Sequence, residues 1–404
     1  MPEPIDPPAL ARLMSSDAPH AVLDIRSREA YVAAQVFAST TVPLAELGDR
    51  LPALVPVRTL PTVFVGTAQD DGRTAALAAE AKGFSDTRWL VDGIHGWIEA
   101  GLPTIGGWSV PGKDFGERLL VQEPVPEIDA DELAALQASG RPLVVLDSRT
   151  PAEFARSCIP GARNVPGGEL PLAITDVLAE PGNADATVVV NCAGRTRSLL
   201  GAFQLQRIGV PRVRALRNGT MGWLLTDREL ERGRPGWTPH EWSAESRVAA
   251  EQAADMIAER EEIPLVSIPA LQQLRAAADS DPLYVVDVRM PHEYVAGHLP
   301  RSLTIPGGQL PFSDDQLAVR GATIVTVCDG RARAILAASL WRLMGLPRVC
   351  VLDGGIGAWA DAGMDLERGG EERPFGGGGI RTREEMIAYL EWEEALGEKY
   401  RTTA

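Results

Sequence analysis

The chain has 404 residues, too many for one ordinary hydrophobic core, so two to four domains are expected. Its formal net charge of −16 argues against nucleic acid or an anionic membrane as the main partner. No apolar run is long enough to span a bilayer, and the acidic, Pro-rich start (Met1 to Pro8) lacks the basic and apolar regions of a signal peptide. The cysteines, Cys158, Cys192, Cys328 and Cys350, are too sparse for a disulfide framework. No CxxC or HxxxH spacing suggests zinc, so a reducing, cytoplasmic setting is the simplest expectation.

In chain order, one series of elements occurs three times. Each begins with an N-cap residue and a short helix: Asp6 before Leu10 and Leu13, Asp129 before Leu133 and Leu136, Ser267 before Leu271 and Leu274. A buried strand ending in Asp-x-Arg follows, with Asp24 and Arg26, Asp147 and Arg149, Asp287 and Arg289. A helical turn then carries a Glu and an aromatic: Glu29 with Tyr31, Glu153 with Phe154, Glu293 with Tyr294. A Pro-containing loop leads to a second apolar strand (Thr62–Val65, Thr187–Val190, Thr323–Val327), and this runs into a loop and a helix. A third strand and a Gly-rich turn ending in Trp97, Trp223 or Trp359 close each copy. Continuous Val, Ile and Leu strands alternating with helices predict an α/β fold, with parallel sheets flanked by helices.

The copies are expected to occupy 1–107, 127–234 and 263–370, separated by a linker at 108–126 and a linker with a charged helix, from about Ser243, at 235–262. The remainder, 371–404, reads as a Gly-rich hinge (373–379) and an amphipathic helix with Met386, Ile387, Leu390 and Leu396. That helix needs a surface to pack on, or leads into a further domain.

The loop after each second strand carries the chemistry. In the middle copy it reads Cys192-Ala-Gly-Arg-Thr-Arg-Ser198, at the carboxyl end of a strand, where ligand sites of such sheets lie. A helix N-terminus and two guanidinium groups favour a thiolate, so Cys192 is the nucleophile candidate. Ala193, Gly194 and Thr196 are expected to help form an amide cradle. Arg195 and Arg197 are expected to bind an anion, and Ser198 to cap the helix or donate to the sulfur. The third copy has Cys328-Asp-Gly-Arg-Ala-Arg333, with Arg331 and Arg333 in the same places; Asp329 raises its thiol pKa and opposes an anionic donor, so Cys328 is a secondary candidate. The first copy, Gly66 to Arg73, has no cysteine, reads as one residue longer, and is expected to be inactive. Cys158 occupies the place of His298 and reads as a loop residue; Cys350 reads as packing.

Together, the Asp-x-Arg strand ends, the Glu-aromatic turns, the Pro-Gly loops, the cysteine-led loop and the Gly-to-Trp closings resemble the rhodanese family of sulfurtransferases, from about Ile5 to Arg368. The resemblance implies three tandem rhodanese-like domains and transfer of sulfane sulfur from thiosulfate or a similar donor through a persulfide on Cys192. The acceptor would be cyanide or a thiol, or a sulfur-carrier protein, with no metal or organic cofactor. The alternative is a non-catalytic scaffold or a redox-sensing binding protein. Phosphatase or arsenate reductase chemistry uses a longer loop with Arg at its sixth position after the cysteine, where this chain has Ser198 and Ala334.

Overall fold

The computed structural model describes residues 1–313, 315–370 and 381–401; the hinge expected at 373–379 lies outside the described residues. Three sheets repeat one strand order. In the middle unit it is Glu127–Ile128, Val213–Leu216, Thr187–Asn191, Leu143–Asp147, Arg163–Asn164, all parallel. The third unit repeats it with Leu265–Val266, Val349–Leu352, Thr323–Val327, Leu283–Asp287 and Leu303–Thr304. The first unit does so with Glu3–Ile5, Thr87–Leu90, Thr62–Val65, His20–Asp24 and Thr40–Thr41. A segment of the third unit, Val319–Arg320, adds to the first sheet antiparallel to Ala21 and His20.

The alternation of strand side chains divides each sheet between two cores. Val22 and Val63, Val145 and Val189, and Val285 and Val325 face three separate outer cores. Leu23 and Phe64, Leu146 and Val190, and Val286 and Ile324 face one core common to all three units. Asp6, Asp129 and Ser267 cap their helices as the sequence predicts. Each strand-end Asp takes its Arg two residues on in a buried ion pair: Arg26 with Asp24, Arg149 with Asp147, Arg289 with Asp287. These guanidiniums also reach the backbone carbonyls of Ala34, Ser157 and Gly297, which ties the following turn to the strand.

The stretch 108–126 departs from the expected linker. It contains a helix, Val110–Gln122, whose Phe115 and Leu119 enter the common core. Pro111 suits the first helical turn, and glycine allows close approach: a Cβ at Gly112 would stand 1.7 Å from the Pro311 carbonyl oxygen. The second connection contains the expected helix, Ala244–Arg260, capped by Ser243, with Ala250, Ala254 and Ile257 in the same core. The C-terminal helix, Arg383–Ala395, opens with a capping box of Thr382 and Glu385 and packs on the connecting helix Val110–Gln122. Met386 and Leu390 are buried there, but Ile387, expected on the same face, is exposed. Among the described residues, no helix is long and apolar enough to cross a membrane.

Candidate active site

The strand Thr187–Asn191 ends beside Asp147, and its last side chain is fixed there: Asn191 Nδ2 donates to Asp147 Oδ2 at 2.9 Å. Five residues later the helix Thr196–Arg207 begins. Between them Cys192 lies at the inner end of a cleft of about 890 Å³. The turn after the next strand holds the loop from behind. Thr220 and Met221 donate their amides to the Cys192 and Ala193 carbonyls at 2.9 and 3.1 Å. This approach requires Gly219, whose φ is +51°; a Cβ there would lie 2.3 Å from the Cys192 carbonyl oxygen.

The same contact aligns all three loops. Ile94 donates to the Gly66 carbonyl and Ile356 to that of Cys328, as Thr220 does to Cys192. Gly66 therefore stands where the other units have cysteine. The first loop is also one residue shorter rather than longer: helix Gln69–Ala81 starts four residues after Val65, against five after Asn191 and Val327.

Cys192 is only 2 % exposed, yet it belongs to none of the hydrophobic clusters and lines the cleft. Its Sγ donates to Ser198 Oγ at 3.6 Å, and Ser198 Oγ donates to the Arg195 carbonyl at 2.8 Å. Burial pushes the thiol up; Arg197 and the Ser198 hydroxyl and amide pull it down, while Glu393 pushes it up again. The net direction is upward, opposite to the lowering expected from the helix N-terminus and the two arginines.

Burial is the main cause, and the arginines offset only part of it because both are bound to carboxylates. Arg195 was expected to bind an anion; it is 3 % exposed and bound to Glu117 of the connecting helix, Nε to Oε1 at 2.5 Å and Nη2 to Oε2 at 3.1 Å. Its Nη1 serves Asn218 and Glu394. Arg197 stays close enough to influence the sulfur but is held in a two-bond fork by Glu153, both at 2.8 Å. Glu153 is the acid of the Glu-aromatic turn. It also accepts from the Thr150 amide and hydroxyl. Burial opposes its charge, but Arg197 and these bonds hold its carboxyl down at about 2. Ala193, Gly194, Arg195, Thr196 and Arg197 line the cleft; Ser198 lies beneath the sulfur.

The third loop does not assemble a second site of this kind. Cys328 is fully buried and packs into the common core. Burial first, and then Asp329, push its thiol up to about 12. Arg333, expected to bind substrate, is shared among Glu169, Glu293 and Asp329. Arg331, expected beside it, is bound by Asp255 of the helix Ala244–Arg260 at 2.6 and 2.7 Å. A hollow of about 170 Å³ over this loop is lined by both arginines but not by Cys328. Cys158 and Cys350 are buried in the outer cores of their units.

Three parts of the cleft were missed from sequence. The first unit supplies Arg28 and Arg50, the third supplies Gln309 and Phe312, and the C-terminal helix supplies Met386, Tyr389 and Glu393. Phe312 stacks under the Arg197 guanidinium, 5.6 Å from ring centre to Cζ. For Glu117 there was a local signal: Pro111 at a helix start and Phe115 with Leu119 one turn apart.

The rhodanese-like domain model matches residues 129–226 and 270–362. A sulfurtransferase of Allochromatium vinosum is 32% identical over 99 residues, 24% of this chain and 88% of that protein. An uncharacterized protein of Synechocystis is 35% identical over 94 residues, 23% of this chain and 50% of its own. The crystal structure of a thiosulfate sulfurtransferase from Pseudomonas aeruginosa superimposes with a TM-score of 0.85 at 28% identity, covering 98% of this chain and 97% of that one. From the repeated strand ends, the cysteine-led loop and these likenesses, the chain belongs to the rhodanese family.

Proposed function

We propose that this protein is a sulfurtransferase that takes sulfane sulfur from thiosulfate, or a donor of the same kind, onto Cys192. The observation that carries the reading is the position of Cys192: it lies under a strand-to-helix loop, out of the hydrocarbon, and lines a cleft wider than a small anion needs. The likeness to the Pseudomonas enzyme over nearly the whole chain supports the donor class.

In the first step the Cys192 sulfur attacks the outer sulfur of thiosulfate. The donor's S–S bond breaks and sulfite leaves with the electron pair. The helix N-terminus at Thr196 and the loop amides favour the negative charge on the new persulfide. In the second step a nucleophile, cyanide or a thiol, removes the outer sulfur, giving ping-pong kinetics. The other units act as walls: the first, a rhodanese-like copy without cysteine, and the third, whose Cys328 is sealed, both shape the cleft.

The test is intact-protein mass after thiosulfate treatment. The protein should gain one sulfur, lost again on adding cyanide, and Cys192→Ser should gain none. A Cys192→Ser protein with full transferase activity removes the reading.

A further inference from the structure

A buried thiol at the end of a cleft needs somewhere to send its proton. Arg195 is turned to Glu117, and Arg197, which still favours a charged sulfur, is shared with Glu153. Of the other carboxylates lining the cleft, Glu46 is bound by Arg28, which also feels Asp315, and Glu153 is bound by Arg197. Glu393, on the C-terminal helix, is different. It is 1 % exposed, and Thr196 Oγ1 donates to its Oε1 at 2.7 Å. Its Oε2 is the one buried side-chain polar atom, among the described residues lining the cleft, without a close hydrogen-bond partner, although the carboxylate also interacts with the Tyr389 hydroxyl of its own helix. That oxygen lies against Gly194, 3.2 Å from where a Cβ would stand, and its charge is felt at the Cys192 sulfur. A buried carboxylate oxygen is costly to leave without a close partner, and each such atom calls for an explanation.

We propose that Glu393 is the proton acceptor that activates Cys192. The assignment rests on the sulfurtransferase reading above and adds a group from outside the cysteine loop. Glu393 takes the proton from Cys192 Sγ as the sulfur attacks the donor. The S–S bond of thiosulfate breaks, sulfite departs with the electron pair, and the proton passes from Glu393 to sulfite or to water. With a thiol acceptor, Glu393 takes the thiol's proton as that sulfur attacks the outer sulfur of the persulfide. The Cys192 Sγ–S bond then breaks, the pair stays on Cys192, and Glu393 returns the proton to it.

The groups around this carboxylate are Cys192, Arg195 and Thr196 from the loop and its helix, and Lys113 and Glu117 from the connecting helix. Tyr389 and Glu394 come from its own helix, with Arg381 just before it. Arg195 is committed to Glu117 and Glu394, and Lys113 lies over the Tyr389 and Trp392 rings. Burial and Glu393 keep the Tyr389 phenol protonated.

Glu393→Gln tests the role, because glutamine retains an oxygen for Thr196 but takes no proton. A carboxylate that merely sits near the sulfur repels both thiolate and anionic donor, so its removal speeds sulfur loading. A proton acceptor does the opposite. Single-turnover loading from thiosulfate, followed by intact mass, should be about 10- to 100-fold slower in the variant at neutral pH. It should recover toward the wild-type rate at alkaline pH, where Cys192 ionises unaided; a damaged loop does not recover. Loading at neutral pH that is unchanged or faster, or slow at every pH, overturns the assignment. A wild-type protein that takes up no sulfur removes the sulfurtransferase reading and the proton role with it, a different result from normal wild-type loading with an unaffected variant.

Discussion

Arg195 of the cysteine loop and Glu117 of the connecting helix form a buried fork, 2.5 and 3.1 Å long, with side chains 2 % and 1 % exposed. The loop is thereby fastened to a segment 78 residues earlier. Removing one partner leaves the other charge buried alone, which costs about 3–5 kcal/mol. Glu117→Ala should therefore lower the unfolding free energy in urea by about that amount. A stability within about 0.5 kcal/mol of wild type would mean that the fork holds nothing in place.

The two loop cysteines should behave differently toward reagents. Cys192 lines the cleft, whereas Cys328 is enclosed by the common core. In the native protein an alkylating reagent should modify Cys192 and spare Cys328, and both should react once the chain is unfolded. Cys328→Ala should still load one sulfur from thiosulfate. Peptide mapping that finds Cys328 alkylated as fast as Cys192 would contradict the sealed environment.

Glu153 sets an acid limit on stability. Its carboxyl is held at about 2 in the folded protein, against about 4.5 when exposed. Because the folded value is the lower one, its contribution is fully present above about 4.5, shrinks as pH falls, and is gone below about 2. The shift corresponds to about 3 kcal/mol at neutral pH. Glu153→Gln should lose stability of that order at pH 7 and be nearly equal to wild type near pH 2, as measured by denaturant titration at both pH values. An equal deficit at both would point to lost packing rather than lost charge.

Gly112 is where the connecting helix meets the third unit. An added methyl would overlap the Pro311 carbonyl, 1.7 Å away, and backbone on both sides leaves little room to yield. Gly112→Ala should destabilise by about 3 kcal/mol or more despite alanine's better helix propensity. A more stable alanine variant, judged by its thermal midpoint, would show that the helix can shift away.

The local parts of this architecture were legible in the sequence. Asp147 and Arg149 are two residues apart, Asp129 caps its own helix, and strand alternation spans a few residues, so pattern alone places them. The cysteine loop was legible for the same reason. What its arginines do was not, because their partners are distant in the chain: Glu117 for Arg195, and Glu169, 164 residues away, for Arg333. In sequence a guanidinium kept for an anion and one spent on a carboxylate look alike. Segment 108–126 was taken for a linker because Gly112, Gly116 and Pro111 suggest a break, whereas the glycines permit close packing. Glu393, 197 residues from Thr196, offered no sign of where its helix would dock.

The pairing of Val319–Arg320 with the edge of the first sheet has a consequence for biosynthesis. The strand His20–Asp24 leaves the ribosome well before its neighbour, which is made about three hundred residues later. Until then part of His20–Asp24 has bare amides and carbonyls on that edge, the kind of surface on which nascent chains stick to one another. Tyr284 adds a second late fastening, donating its hydroxyl to the Leu54 carbonyl. The first unit is thus begun long before its sheet is completed, and cutting the chain before residue 319 would yield a fragment prone to clump rather than a smaller working protein.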